Sequence, residues 1–212
     1  GTGGAGIDAI DDMTPKAYEE TGDGITGGGG FINAGTAGFI KYINSMNGVT
    51  LNAAIRKGSA TNNAEGENSG SGEGSAYTFA LMADGDALGA VGFNAGVGYG
   101  HVETGEKAVT GSTLKDTETY AIYATYAMGP VTMGAQINTT DAQAKSKEAQ
   151  MLSVAFNVND SLAISYARQD IDHDKSGSNA AVSEEIDGLG FSYTMGGMTL
   201  AGQRNEADNT NA

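Results

Sequence analysis

Four arrangements in the 212-residue sequence could carry chemistry. The first is Asp170, Asp172 and Asp174 alternating around His173. Spaced carboxylates of this kind can line a calcium loop, but the glycine and closing glutamate of an EF-hand are missing at their positions. The second is the pair of histidines, His101 and His173, each at the edge of a polar connection. Two isolated imidazoles offer neither a metal-ligand set nor a base with a nucleophile beside it, so no metal and no catalytic residue is expected. The third is Gly96-x-Gly98-x-Gly100. A phosphate cradle needs these glycines at a strand-to-helix turn, and here they lie inside an alternating segment. The fourth is the stretch 1–30, which holds Asp8, Asp11, Asp12, Glu19, Glu20 and Asp23 against Lys16 alone. Packed carboxylates with one base can create a negative field where solutes pass, or simply a solvated loop.

The composition narrows the classes. Acidic residues outnumber basic ones 26 to 11, for a net charge of −15, which excludes nucleic-acid binding through a basic patch. There is no Cys, hence no disulfide framework and no thiolate metal site. Leu, Ile, Val and Phe total 35 residues, a poor core for a soluble α/β domain of this length and, with this charge, a composition that leans toward disorder. The order lies in the placement. Apolar residues fall at every second position in short runs, as in Tyr120, Ile122, Ala124, Tyr126 and Met128 against Thr119, Ala121, Tyr123 and Thr125. Period two is the half-buried strand pattern.

The pattern predicts five hairpins, at 36–45/49–58, 76–83/90–102, 118–128/131–139, 149–158/162–170 and 186–195/198–205. Their turns are short: Met46-Asn47-Gly48, Asp84 to Gly89, Gly129-Pro130, Asn159-Asp160-Ser161 and Gly196-Gly197. The connections between hairpins, 59–75, 103–117, 140–148 and 171–185, are long and polar. Short turns alternating with long loops place each class on its own side of an all-β, up-and-down transmembrane barrel. One face of these strands carries Leu51, Ile55, Phe79, Leu81, Val91, Phe93, Val97, Leu152, Val154, Phe156, Leu189 and Phe191. The other carries small and polar residues. Runs of about ten residues suit a tilted strand crossing hydrocarbon, and Tyr77, Tyr99, Tyr120, Tyr126, Tyr166 and Tyr193 fall at run ends, where interfacial aromatics sit. A secreted or surface-attached acidic β-protein, an adhesin-like binding module, would show the same alternation with its apolar face buried between two sheets. No run of 18 apolar residues is present, and no basic n-region with an apolar h-region follows Gly1, so an export signal is expected to have been removed or to lie outside this sequence.

Parity also sorts the bases. Arg56 shares the polar parity of Thr50, Asn52 and Ala54, and Lys41 breaks an apolar-looking strand; both read as interior-facing, with rim charges as the plain alternative. Lys57, His101, Arg168 and Arg204 share the apolar parity, just past the last outward apolar residues, where a basic band could meet phosphates at a membrane surface.

Two stretches resemble a known family. GFIKYINSMNGVTLNAAIR at 38–56 is similar to the strand–turn–strand after the constriction loop of Gram-negative general diffusion porins. GLGFSYTMGGMTLAGQRNEADNT at 188–210 is similar to the last hairpin of their alphaproteobacterial members. The resemblance implies a sixteen-stranded outer-membrane barrel, a homotrimer, whose third long loop folds into the interior. On that reading 1–30 is the constriction loop and 31–212 a ten-strand stretch of wall; the chain is then a fragment without the N-terminal strands and the last strand, and without the family's terminal aromatic residue, since it ends in Ala212. The implied function is passive, weakly cation-selective diffusion of ions and small hydrophilic solutes, with no enzyme activity and no cofactor. The implied pore constriction is Asp8, Asp11, Asp12, Glu19 and Glu20 facing Lys41 and Arg56.

Overall fold

The computed structural model describes residues 5–22, 39–57, 73–104, 116–142, 146–174 and 181–209. Ten strands form one antiparallel sheet in which each strand pairs with its sequence neighbours: β1 (Phe39–Met46), β2 (Val49–Arg56), β3 (Glu73–Ala83), β4 (Phe93–Thr104), β5 (Thr117–Met128), β6 (Val131–Asp141), β7 (Lys147–Asn159), β8 (Leu162–His173), β9 (Val182–Met195) and β10 (Met198–Asp208). Among the described residues β1 and β10 each have one neighbour. Among the described residues no second sheet covers the apolar face, as the sandwich alternative would require.

Local chemistry accounts for the hairpins. Asn47 and Gly48 both have positive φ, at 51° and 77°, the pair of left-handed residues that a two-residue hairpin turn needs to match strand twist. The Asn159 carboxamide accepts from the Ser161 and Leu162 amides at 2.8 and 3.0 Å and closes the β7–β8 turn from the side.

The register resolves the two faces. Opposite residues point the same way, and the chain of pairs Ala80↔Gly98, Gly98↔Ala121 and Ala121↔Asn138 runs along the inner face. Leu81↔Val97, Val97↔Ile122 and Ile122↔Ile137 run along the outer face, where Leu81, Val97, Ile122, Ile137, Leu152, Val154, Phe156, Leu189 and Phe191 are exposed. An apolar surface of this extent demands a nonaqueous neighbour. A twelve-residue strand such as β5 is about 40 Å long at about 3.3 Å per residue, which tilted by about 40° spans roughly 30 Å, the thickness of hydrocarbon. No helix among the described residues is long and apolar enough to cross a membrane.

Two expectations are corrected. The segment after Asp84 is not a plain turn. Asp84 accepts from the Asp86 and Ala87 amides and caps a one-turn helix, α1 (Gly85–Leu88), which ends on Gly89 at φ 67°. β4 therefore starts at Phe93, and Val91, read as part of the apolar strand face, stands 86% exposed in the connection. The last long-loop strand, β9, begins at Val182 rather than 186. Its first residues invert the polarity pattern: Glu184 and Ile186 lie inside, while Ser183, Glu185 and Asp187 lie outside. β8 does the same, with Ile171 buried and Asp170 and Asp172 exposed outside. Above the apolar band the outward positions are polar, while the inward ones mix the buried Ile171 and Ile186 with the buried Glu184.

The face assignment predicts opposite tolerances. Val154→Arg, on the outer face, should lower folding stability in lipid vesicles by roughly 2–4 kcal/mol, whereas Thr132→Lys, on the inner face, should cost little. Urea titrations of the vesicle-inserted protein read both; equal losses would show the faces to be misassigned.

Candidate functional site: a segment laid across the inner wall

Residues 5–22 cross the inner face in sequence order, from β2 to β9. The Gly6 amide donates to Asn52 Oδ1 on β2 at 2.9 Å, and Thr78 Oγ1 on β3 donates to the Ala5 carbonyl at 3.4 Å. A 3₁₀ turn, Gly6–Ile10, drops Ile7 and Ile10 onto Ala80, Ala121 and Tyr123, the largest buried apolar cluster among the described residues. Further along, the Met13 amide donates to Gln136 Oε1 on β6 at 3.0 Å. Ser153 Oγ on β7 donates to the Pro15 carbonyl at 2.7 Å, and the Ala17 amide donates to Ser165 Oγ on β8 at 2.9 Å.

Absent side chains matter as much as present ones. A Cβ added to Gly98 on β4 would lie 2.8 Å from both Ile7 Cγ1 and Ile10 Cδ1. At Gly134 on β6 it would strike the Pro15 ring, and at Gly188 on β9 the Thr21 hydroxyl. Three inward glycines therefore make the seat on which the segment lies against the wall. The glycines of Gly96-x-Gly98-x-Gly100 serve packing here.

The charged groups distribute as follows. Asp8, the third residue of the 3₁₀ turn, is buried. Asp11 keeps an exposed surface, yet the neighbouring wall removes enough water to raise its carboxyl above its ordinary 3.8, an effect the nearby Lys16 ammonium partly offsets. Asp12 pairs with Lys16, one turn on in sequence. Glu19 is exposed, and Glu20 lines, with Gln203 and Asn205, a small recess against β8–β10. Asp23 lies outside the described residues. The five described acids thus form a line across the wall rather than one patch. Lys41 on β1 stands opposite the buried Ala54, and Arg56 on β2 opposite Ala76, so both have the inner parity.

The inner face also carries charges that composition and spacing did not single out. Glu184 is buried, with His173 Nε2 at 3.5 Å from Oε2 and the Lys147 ammonium near enough to attract it. On the outer face, His101 stacks on Tyr77 with ring centroids 4.9 Å apart and faces Asp116 and Glu118 at 3.6 and 3.8 Å. Tyr99 and Tyr120 both donate to Glu118, at 2.9 and 3.1 Å. Arg168 binds Asp170 and Glu185, and Arg204 binds Glu206. Lys57 is exposed just past β2. The outward bases are thus interleaved with carboxylates. Asp170 and Asp172 are taken by Arg168 and Ser183, and no group of three or more His, Asp or Glu among the described residues is arranged to hold a metal.

An antiparallel wall with an apolar outer face, a polar inner face and a polar segment strapped across that inner face defines a membrane-spanning β-barrel protein. The comparisons with known proteins narrow the class. The family profile for Gram-negative porins matches residues 2–212, and the chain belongs to that family, in the outer membrane of a Gram-negative bacterium. It is similar to a porin structure refined at 1.8 Å, with a TM-score of 0.70 and 17% identity over 98% of this chain and 71% of that one. It is also similar to in-vitro folded OmpT, an outer membrane protein of Vibrio cholerae, with a TM-score of 0.59 and 13% identity over 80% of this chain and 53% of that one, so the chain spans about half that protein's length. A deletion mutant of the same protein lacking loop L8 gives a TM-score of 0.56 at 13% identity, covering 80% of this chain and 57% of that one. No curated protein matches the sequence.

The raised Asp11 carboxyl sets a pH dependence. A carboxyl whose value is higher when the segment is seated favours seating below 3.8, and that contribution is lost as pH rises through the raised value. Hydrogen exchange at the Met13 amide, corrected for its intrinsic rate, should therefore slow on acidification, and Asp11→Asn should flatten the trend. The opposite slope would place the Asp11 side chain away from the wall.

Proposed function

We propose that this chain supplies wall and constriction to a water-filled channel for passive diffusion of ions and small hydrophilic solutes, weakly cation-selective and trimeric as in the family it belongs to. The observation that carries the reading is residues 5–22 crossing the inner wall with Asp8, Asp11, Asp12, Glu19 and Glu20 against one base, Lys16. A strap across a lumen narrows it, and fixed carboxylates at the narrow point raise the local concentration of cations. Lys41 and Arg56 add positive charge on the same inner face, which makes the field across the opening asymmetric and holds the selectivity low. Charge on the outer connections is screened within about 8 Å at physiological salt and contributes little. Diffusion of this kind involves no reaction and needs no cofactor. At the outer rim, Lys57, His101, Arg168 and Arg204 face lipopolysaccharide phosphates, the last three by exchanging a carboxylate partner.

Reversal potential in a salt gradient, measured on the complete protein in a planar bilayer, tests the selectivity. Changing Asp8, Asp11 and Asp12 together to Asn should move it toward anion selectivity, and the shift should shrink as salt rises. An unchanged potential would remove the acidic segment from the constriction.

A further inference from the structure

We propose that Gln136 is the positioning residue of the constriction: its carboxamide, with the neighbouring Gly134 as a seat, sets how far the acidic segment stands into the channel. The inference rests on the constriction reading and names the wall residue that fixes its geometry.

Gln136 is 1% exposed on the inner face of β6, near the middle of the strands that the segment crosses. Its Oε1 accepts from the Met13 amide at 3.0 Å. The two N–H groups of its Nε2 serve three acceptors, one of them shared: the carbonyls of Ile10 and Asp11 at 2.8 and 3.0 Å and Asn138 Oδ1 at 3.0 Å. A single side chain thus reads three backbone groups between residues 10 and 13, where the 3₁₀ turn gives way to the extended run. Elsewhere on the wall Asn52, Thr78, Ser153 and Ser165 hold the backbone at Gly6, Ala5, Pro15 and Ala17. Asn138 accepts only an N–H here, so it orients the amide with its oxygen toward Met13.

The consequence is electrostatic as well as steric. Gln136 grips the main chain of Asp11 itself, next to Asp12, so it determines where those carboxylates stand. Two residues earlier on the same face, Gly134 lets the Pro15 ring rest against the strand, and a ring cannot bend aside as a flexible side chain can. A leucine at 136 keeps the volume but offers neither donor nor acceptor, leaving one buried and two partly buried backbone groups without this partner until the segment lifts to reach water.

The test uses the complete protein in planar bilayers, with single-channel conductance and reversal potential read together and heat-modifiability on gels reporting barrel integrity. Gln136→Leu and, independently, Gly134→Val should each lower conductance about two-fold and move the reversal potential toward stronger cation selectivity, with the barrel intact, because the segment and its carboxylates are displaced from the wall into the lumen and narrow the passage. Met133→Leu, on the outer face beside Gly134, serves as the control for wall perturbation. Gln136→Glu adds a signature that a purely structural role lacks. Its carboxylate repels the Ile10 and Asp11 carbonyls at pH 8, whereas the protonated acid at pH 4 can donate to one of them, so its conductance relative to wild type should be lowered at pH 8 and return toward unity at pH 4. Conductances of Gln136→Leu and Gly134→Val equal to wild type, with deletion of residues 5–22 widening the pore, would overturn the role of Gln136 and keep the constriction. Should that deletion also leave conductance unchanged, the constriction reading and this inference fall together.

Discussion

Backbone amides and carbonyls in hydrocarbon have no water to bond, and a strand can satisfy them only through its neighbours. Each strand from β2 to β9 is paired along both edges, and the side-chain arrangement follows from that pairing. A paired strand presents alternate residues to opposite sides, so one set must tolerate lipid and the other must face the interior. This explains how a chain with few large aliphatic residues can fold. The apolar residues are not gathered into a core but spread over an exterior, where bilayer takes the place of a second sheet.

The interior solves a different problem. A polar segment packed against a sheet must bring its own unpaired amides and carbonyls, and each needs a partner on the wall. Asn52, Thr78, Gln136, Ser153 and Ser165 provide them from five of the seven strands β2 to β8, all from the inner parity. Hydrogen bonds of this kind work only if the backbones approach closely, which the inward glycines at 98, 134 and 188 permit. Ile7 and Ile10 then fill the one place where the wall is lined by Ala80, Ala121 and Tyr123. Neutral hydrogen bonds and a small apolar plug together hold a negatively charged strap without requiring a matching row of bases beneath it.

Charge is sorted along the strands as well as across them. Toward the long-loop end, Glu118, Glu148, Asp170, Asp172, Glu185, Asp187 and Glu206 take outward positions that are apolar lower down. Phenols of Tyr99, Tyr120 and Tyr166 bond to Glu118 and Asp187 and mark the change from ring to carboxylate. An amphipathic ring with its hydroxyl on the polar side is suited to that boundary.

How much of this is legible without coordinates differs by level. Strand number, order and face follow from period-two alternation, because the pleat permits no other reading of Tyr120, Ile122, Ala124 against Thr119, Ala121, Tyr123. Strand ends are less legible: Val182 to Asp187 turns its polar residues Ser183, Glu185 and Asp187 outward while burying Glu184 and Ile186 inside, and Asp84 to Gly92 hides a capped helical turn that a count of turn residues cannot distinguish from a loop. The acidic segment stood out by composition, and its relation to the wall did not. Gln136 looks like any polar inward residue, and Gly98 like any weak point in a strand. Their significance depends on residues more than a hundred and about ninety positions away respectively, Met13 and Ile7, brought against them by the crossing of the segment. Local alternation is dictated by the backbone and is therefore written in the sequence; which inward side chain meets which carbonyl depends on where a distant segment lies across the sheet, and only the tertiary structure decides that.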